Sequence, residues 1–238
     1  MNFRSCSRAN GHGNKTKRSS CCGHQYRSHS GFGRFEYDFP GVRPTFFFKA
    51  IEFDDAKTIQ QLIQRGFDPN TPSSDLQSPL NLAIQKNAHQ VSQVLATHPK
   101  LQVNQPNAND ETPLMLAALK KQSDLTKTLI QRGADVNRPG WTPLHYAATS
   151  GSVDIIRLLL EHHAYIDAES PNGTTPLMMA AHYGTAQATK WLLEEGADPL
   201  IRNQQGLSAL DFAKNGPNRE SEAYVAAFVR AAEAKSKK

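Results

Sequence analysis

A seven-residue phrase returns through this chain at nearly constant intervals, and that return restricts the fold more than any other feature. Thr142-Pro143-Leu144-His145-Tyr146-Ala147-Ala148 is matched by Thr175-Pro176-Leu177-Met178-Met179-Ala180-Ala181 and by Thr112-Pro113-Leu114-Met115-Leu116-Ala117-Ala118. Looser copies stand at Ser78-Pro79-Leu80-Asn81-Leu82-Ala83-Ile84 and Ser208-Ala209-Leu210-Asp211-Phe212-Ala213, and a faint one begins at Thr45-Phe46-Phe47. The six starts lie 33, 34, 30, 33 and 33 residues apart. A period of this length marks a solenoid, in which each unit buries its apolar faces only against its neighbours. The rest of the sequence closes other routes. There is no G-X-Y period, no sustained heptad, no run near the roughly 18 apolar residues of a membrane span, and only 3 cysteines.

Within a unit the local chemistry reads as two helices. Thr or Ser before Pro is a helix start, because the hydroxyl caps free backbone N–H groups and proline suits the first helical position. The Ala-Ala pair lets this helix pack closely. A second helix follows, as in Val153-Asp154-Ile155-Ile156-Arg157-Leu158-Leu159-Leu160, with apolar residues at helical spacing. Gly66, Gly133 and Gly196 fall just past it, where a left-handed residue ends a helix cheaply. A second phrase surrounds these glycines: Gln64-Arg65-Gly66-Phe67-Asp68-Pro69-Asn70, Gln131-Arg132-Gly133-Ala134-Asp135-Val136-Asn137 and Glu194-Glu195-Gly196-Ala197-Asp198-Pro199.

The two phrases and their spacing resemble the ankyrin repeat over about residues 45–214, and the wording is similar to bacterial ankyrin-repeat proteins, many of them made with an export signal. The resemblance implies an all-α solenoid of paired antiparallel helices with β-turn fingers, about six units long. The expected divisions are a disordered basic tail over 1–44 and a degenerate N-capping repeat over 45–77. Repeats follow over 78–111, 112–141, 142–174 and 175–207, with a C-capping repeat and basic tail over 208–238. Three departures stand out. The 30-residue interval makes the finger at Val136–Trp141 about three residues short. His163 replaces the helix-ending glycine, and Asn87 and Lys121 replace glycine between paired helices, each at ~1 kcal/mol if a positive φ is required.

The net charge of +5 does not belong to the body. Residues 1–44 carry eight Lys/Arg against Glu36 and Asp38, whereas residues 45–238 carry 19 basic against 20 acidic side chains. Residues 1–30 contain no Leu, Ile or Val, too little apolar area to offset the entropy of ordering. The tail admits several readings. It could be a nucleic-acid or anionic-surface arm (Lys15, Lys17, Arg18, Arg27 and Arg34 with Tyr26 and Phe32), a metal site (Cys6, Cys21, Cys22 and His24), a disulfide, or an inert solvated segment. Its composition also fits a misassigned start that stands in place of an export signal. No apolar stretch of a secretory signal is readable, so the chain as written is expected in the cytoplasm; with a misassigned start, the periplasm or the exterior is expected. The body has no cysteine, and cysteine usage therefore leaves the compartment open.

No catalytic, cofactor-binding or metal residues are expected. There is no phosphate loop, no His-Glu-x-x-His and no Gly-x-Ser-x-Gly, and adjacent His162 and His163 would point apart on a helix. The resemblance implies that His145 hydrogen-bonds between loops, and that Thr112, Pro113, Gly133, Thr142, Pro143, Thr175, Pro176 and Gly196 are structural. It also implies protein binding by finger tips and by the concave face of the first helices. On that face and those tips the candidates are Phe53, Lys86, Lys120, Trp141, Asn172, His182 and Tyr183, with aromatic residues the expected anchors. A monomer that binds an unidentified protein is expected, with no nucleic acid favoured for the folded body. The alternative is anionic-surface binding by the tail, with the repeats as scaffold.

Overall fold

The 33-residue period becomes a row of helical hairpins. The computed structural model describes residues 44–236, which fall within one compact unit. The readings placed on the N-terminal tail lie outside the described residues. The hairpins are α1 (Pro44–Glu52) with α2 (Ala56–Gln64), α3 (Pro79–Gln85) with α4 (His89–Thr97), and α5 (Pro113–Leu119) with α6 (Ser123–Gln131). Then come α7 (Pro143–Ser150) with α8 (Val153–Glu161), α9 (Pro176–Tyr183) with α10 (Ala186–Glu194), and α11 (Ala209–Asn215) with α12 (Arg219–Ser236). Odd-numbered helices pack on one another in sequence and even-numbered ones do the same, which gives an inner and an outer layer. Among the described residues the only β pairing is a single bridge, Arg202 with Ser208.

The repeated phrase works as its chemistry dictates. Ser78, Thr112, Thr175 and Ser208 each turn a hydroxyl to the N–H three residues on, at 3.2–3.4 Å. Leu80, Leu114, Leu144 and Leu177 are at most 1% exposed, and Ala117, Ala147 and Ala180 are sealed between layers. The first helix starts at Pro44, ahead of the Thr45 of the faint copy, because there the proline precedes the threonine. Phe47 stacks on Phe67 with ring centroids 4.1 Å apart and fills the first hairpin. The last helix, α12, has 18 residues against nine in α2, α4, α6, α8 and α10.

A ladder of side chains ties successive loops together. Asn70 accepts from the Gln102 N–H and donates to the Lys100 carbonyl; Asn104 does the same with Asp135 and Gly133. Asn137 repeats the arrangement with Tyr165 and His163. The fourth rung is Asp167, which accepts from the Asp198 N–H at 3.1 Å. A carboxylate has no donor for the carbonyl side of the rung. The three non-glycine departures do sit at positive φ: Asn87 at 57°, Lys121 at 57° and His163 at 62°.

Candidate interaction surface

Four of the long loops form the same five-residue finger. In each, the first residue's N–H donates to the fifth residue's carbonyl and the fourth N–H donates back to the first carbonyl. The fingers are Ser73–Gln77, Asn107–Glu111, Ser170–Thr174 and Asn203–Leu207. Their fourth residues, Leu76, Asp110, Gly173 and Gly206, all take positive φ. The loop before Thr142 is the exception. It runs from the Asn137 rung to Thr142 without that hydrogen-bonded turn, so the missing residues come out of the finger itself.

The shortened finger is held by its side chains. Arg138 reaches back to finger Asn107–Glu111, donating to the Asp110 carbonyl at 2.8 Å and its carboxylate at 2.7 Å. On the other side Gly140 lies close against Pro171 of the next finger. Trp141 sets its ring edge-on to His145, centroids 5.2 Å apart, and keeps 37% of its surface exposed. His145 itself is fully buried. Its Nδ1 accepts from the Thr142 N–H and hydroxyl, at 3.2 and 2.9 Å, and its Nε2–H donates to the Thr174 carbonyl at 2.9 Å. Burial pushes its pKa down to about 4, so it is a neutral bridge between loops.

Beside it Tyr146 donates to the Glu111 carboxylate at 3.2 Å, and Asn107 donates to the other oxygen at 2.8 Å. Burial first, and the Glu111 charge second, raise the phenol to about 12. The Arg138 charge pulls the phenol the other way, by less. Among the described residues this is the one place where a polar group on an inner helix bonds a finger carboxylate, so that inner helix and finger share a face.

Along that face Leu82, Tyr146, Met179 and Phe212 occupy one register of α3, α7, α9 and α11 and are half-buried, whereas Leu116 at that register of α5 is buried. Beyond them lie the sequence candidates. Lys86 and Lys120 are exposed at the ends of α3 and α5 and form no ion pair. Tyr183 is 60% exposed and rests edge-on against His182, whose Nδ1 meets the Phe212 carbonyl at 3.1 Å. Phe53, 80% exposed, sits in the α1–α2 turn at the end of the row. Asn172 is exposed, but its side-chain oxygen is taken by Ser170 and Thr174 within its own finger. Of the structural candidates, Thr142 differs from its counterparts: its hydroxyl meets the His145 ring rather than serving only the backbone. Among the described residues no group of three or more His, Cys, Asp and Glu could hold a metal ion. No helix among them is long and apolar enough to cross a membrane.

Stacked helical hairpins with turn fingers, and exposed aromatics on a finger and at inner-helix ends, define a repeat scaffold of the kind that typically does no chemistry. A family model described as ankyrin repeats (3 copies) matches residues 47–139, 100–170 and 137–203. The chain belongs to the ankyrin-repeat family, whose domains are in general protein–protein interaction modules. It is 30% identical over 164 residues to the human transient receptor potential cation channel subfamily A member 1, covering 63% of this chain and 15% of that protein. The chain therefore spans less than a sixth of that relative. In fold it is similar to the human ASB11 ankyrin repeat domain, with TM-score 0.69, 24% identity, and coverage of 79% of this chain and 84% of that one. It is also similar to a chain in the structure of the Bd0816 predatory endopeptidase from Bdellovibrio bacteriovorus in complex with immunity protein Bd3460. That match has TM-score 0.65, 25% identity, and coverage of 76% and 96%. The expected likeness to bacterial sequences and the export signal are not shown by these matches.

Proposed function

We propose that this chain is a non-catalytic module that holds a protein partner across its inner-helix ends and finger tips. The observation that carries the reading is the ledge of uncommitted groups on one face. Lys86, Lys120, Trp141 and Tyr183 stand exposed beside the half-buried Leu82, Tyr146, Met179 and Phe212, while the polar groups behind them are bonded internally. Exposed aromatics bordered by charge are the usual energetic anchors of an interface. The similarity to a chain from an enzyme–immunity protein complex supports the same use of the scaffold, and a folded protein as the partner.

The test is a peptide-display selection on the folded chain, followed by Trp141→Ala with Tyr183→Ala. The selected peptide is expected to lose on the order of 2 kcal/mol of affinity, about thirtyfold, while thermal unfolding moves little. Binding that survives the double change sinks this surface. A collapse of folding assigns the two aromatics to structure instead.

A further inference from the structure

The proposed partner face is not uniform, and its most unusual point is the gap left by the shortened finger. The five long loops between hairpins (65–78, 98–112, 132–142, 162–175 and 195–208) carry nine acidic against five basic side chains. The short turns of the second and third hairpins carry Lys86, Lys120 and Lys121 and no acid. The finger side therefore favours a basic partner. Where residues 137–141 fail to build a finger, Trp141 precedes the capping Thr142 as Glu111 precedes Thr112 one hairpin earlier, so the two hold one register, and Arg138 reaches from the one loop to the other. The indole of Trp141 is more than a third open. Asp110 is already neutralised by Arg138. Glu111 is hydrogen-bonded by the neutral Tyr146 and Asn107, so the two carboxylates here outnumber the single guanidinium of Arg138.

We propose that this gap, bounded by Trp141 and Glu111, seats an arginine side chain of the partner. A guanidinium is planar, stacks on an indole face and pairs with a carboxylate through parallel N–H groups. Arg138 shows the acidic half of such recognition within the chain, its guanidinium donating to the Asp110 carbonyl and carboxylate at 2.8 and 2.7 Å. The proposal rests on the partner-binding reading of this face but adds the chemistry of what enters it.

The chain has two tryptophans, so an ¹⁵N-labelled sample gives two indole signals. Trp191, beneath the Arg157 guanidinium, serves as the internal control. The probes are acetyl-Gly-Arg-Gly-Ser-Arg-Gly-amide and the same peptide with citrulline, neutral and isosteric, at both arginines. The arginine peptide is expected to shift the Trp141 signal saturably and leave Trp191 in place, with the citrulline peptide at least about tenfold weaker. Glu111→Gln, which removes the charge and keeps one of the two acceptor oxygens that Tyr146 and Asn107 use, is expected to weaken the arginine peptide to a similar extent. Equal response to both peptides, or indifference to Glu111→Gln, overturns the proposal. A Trp141 shift on concentration alone, or with a glutamate version of the peptide, overturns it in favour of a second copy or an acidic partner. Display-selected peptides that depend on Tyr183 while the arginine peptide is ignored would remove the arginine seat and leave the wider face standing. An arginine response alongside Tyr183-independent selected peptides would do the reverse.

Discussion

His145 has no contact with water, and both its ring nitrogens are spent on loop backbone and the Thr142 hydroxyl. The folded chain therefore excludes the proton that the unfolded chain takes up near pH 6.5. Stability is fully present above that pH and is lost as the pH falls towards about 4, by roughly 3 kcal/mol in total. Urea unfolding at pH 7, 5.5 and 4.5 is expected to show this slope, and His145→Gln to be less stable at pH 7 but flatter across the window. The hydrogen-bonded carboxylates Asp55 (by the Thr58 hydroxyl) and Asp211 (by the Ser208 N–H) are held below their ordinary range, so their losses come at lower pH. Asp167 runs the other way. Burial raises its carboxyl, with Asp198 adding repulsion, so the folded state binds that proton more tightly and stability falls as the pH rises through the carboxylate range. Asp167→Asn completes the rung by register with Asn70, Asn104 and Asn137. It is expected to gain about 1 kcal/mol near pH 7 in the same unfolding assay, and to lose nothing as pH rises.

Helix ends separate what one unit's residues show from what they do not. The Thr-Pro and Ser-Pro starts were readable because cap and capped N–H lie three residues apart. The shortened finger was readable from the interval alone. The caps of α4 were not. Its own N-cap residue is Ala88, and its N-terminal N–H groups are taken by the Asp54 carboxylate of the hairpin before, at 3.2 and 2.8 Å. Its C-terminal carbonyls are taken by Arg132 of the hairpin after, which donates to the Ala96 and His98 carbonyls at 2.7 and 2.8 Å. Such contacts span more than thirty residues, and nothing within α4's own unit announces them. The asparagine ladder was missed for a related reason: Asp-Pro-Asn and Asp-Val-Asn were visible as a phrase, but their partners belong to the next unit. Gly184 teaches a third lesson. It takes an ordinary φ of −81°, yet a Cβ there would lie 2.5 Å from the Ala148 carbonyl, so its smallness serves close packing rather than a left-handed turn. At the end of α8 the logic is conformational. His163 holds φ 62° where α6 and α10 end in glycine. His163→Gly is expected to stabilise by ~1 kcal/mol, a midpoint rise in thermal unfolding of a few degrees.

At the scale of the whole molecule, two layers of helices divide the work. The exposed Trp141 and Tyr183 lie on the shortened finger and at the end of an inner helix, while aromatics of the outer layer make contacts that stay within the chain. Examples there are the Arg157 guanidinium over Trp191 and Lys190 over Tyr224, the latter also paired with Glu194. Because each hairpin packs only on its neighbours, a partner laid along the fingers spans several units and ties them together. Hydrogen–deuterium exchange, with and without a display-selected peptide, tests this division directly. The account predicts slowed exchange at the C-terminal ends of α3, α5, α7 and α9 and in the loops 107–111 and 137–141, with α4, α6, α8 and α10 unchanged. Protection confined to the outer helices would contradict it.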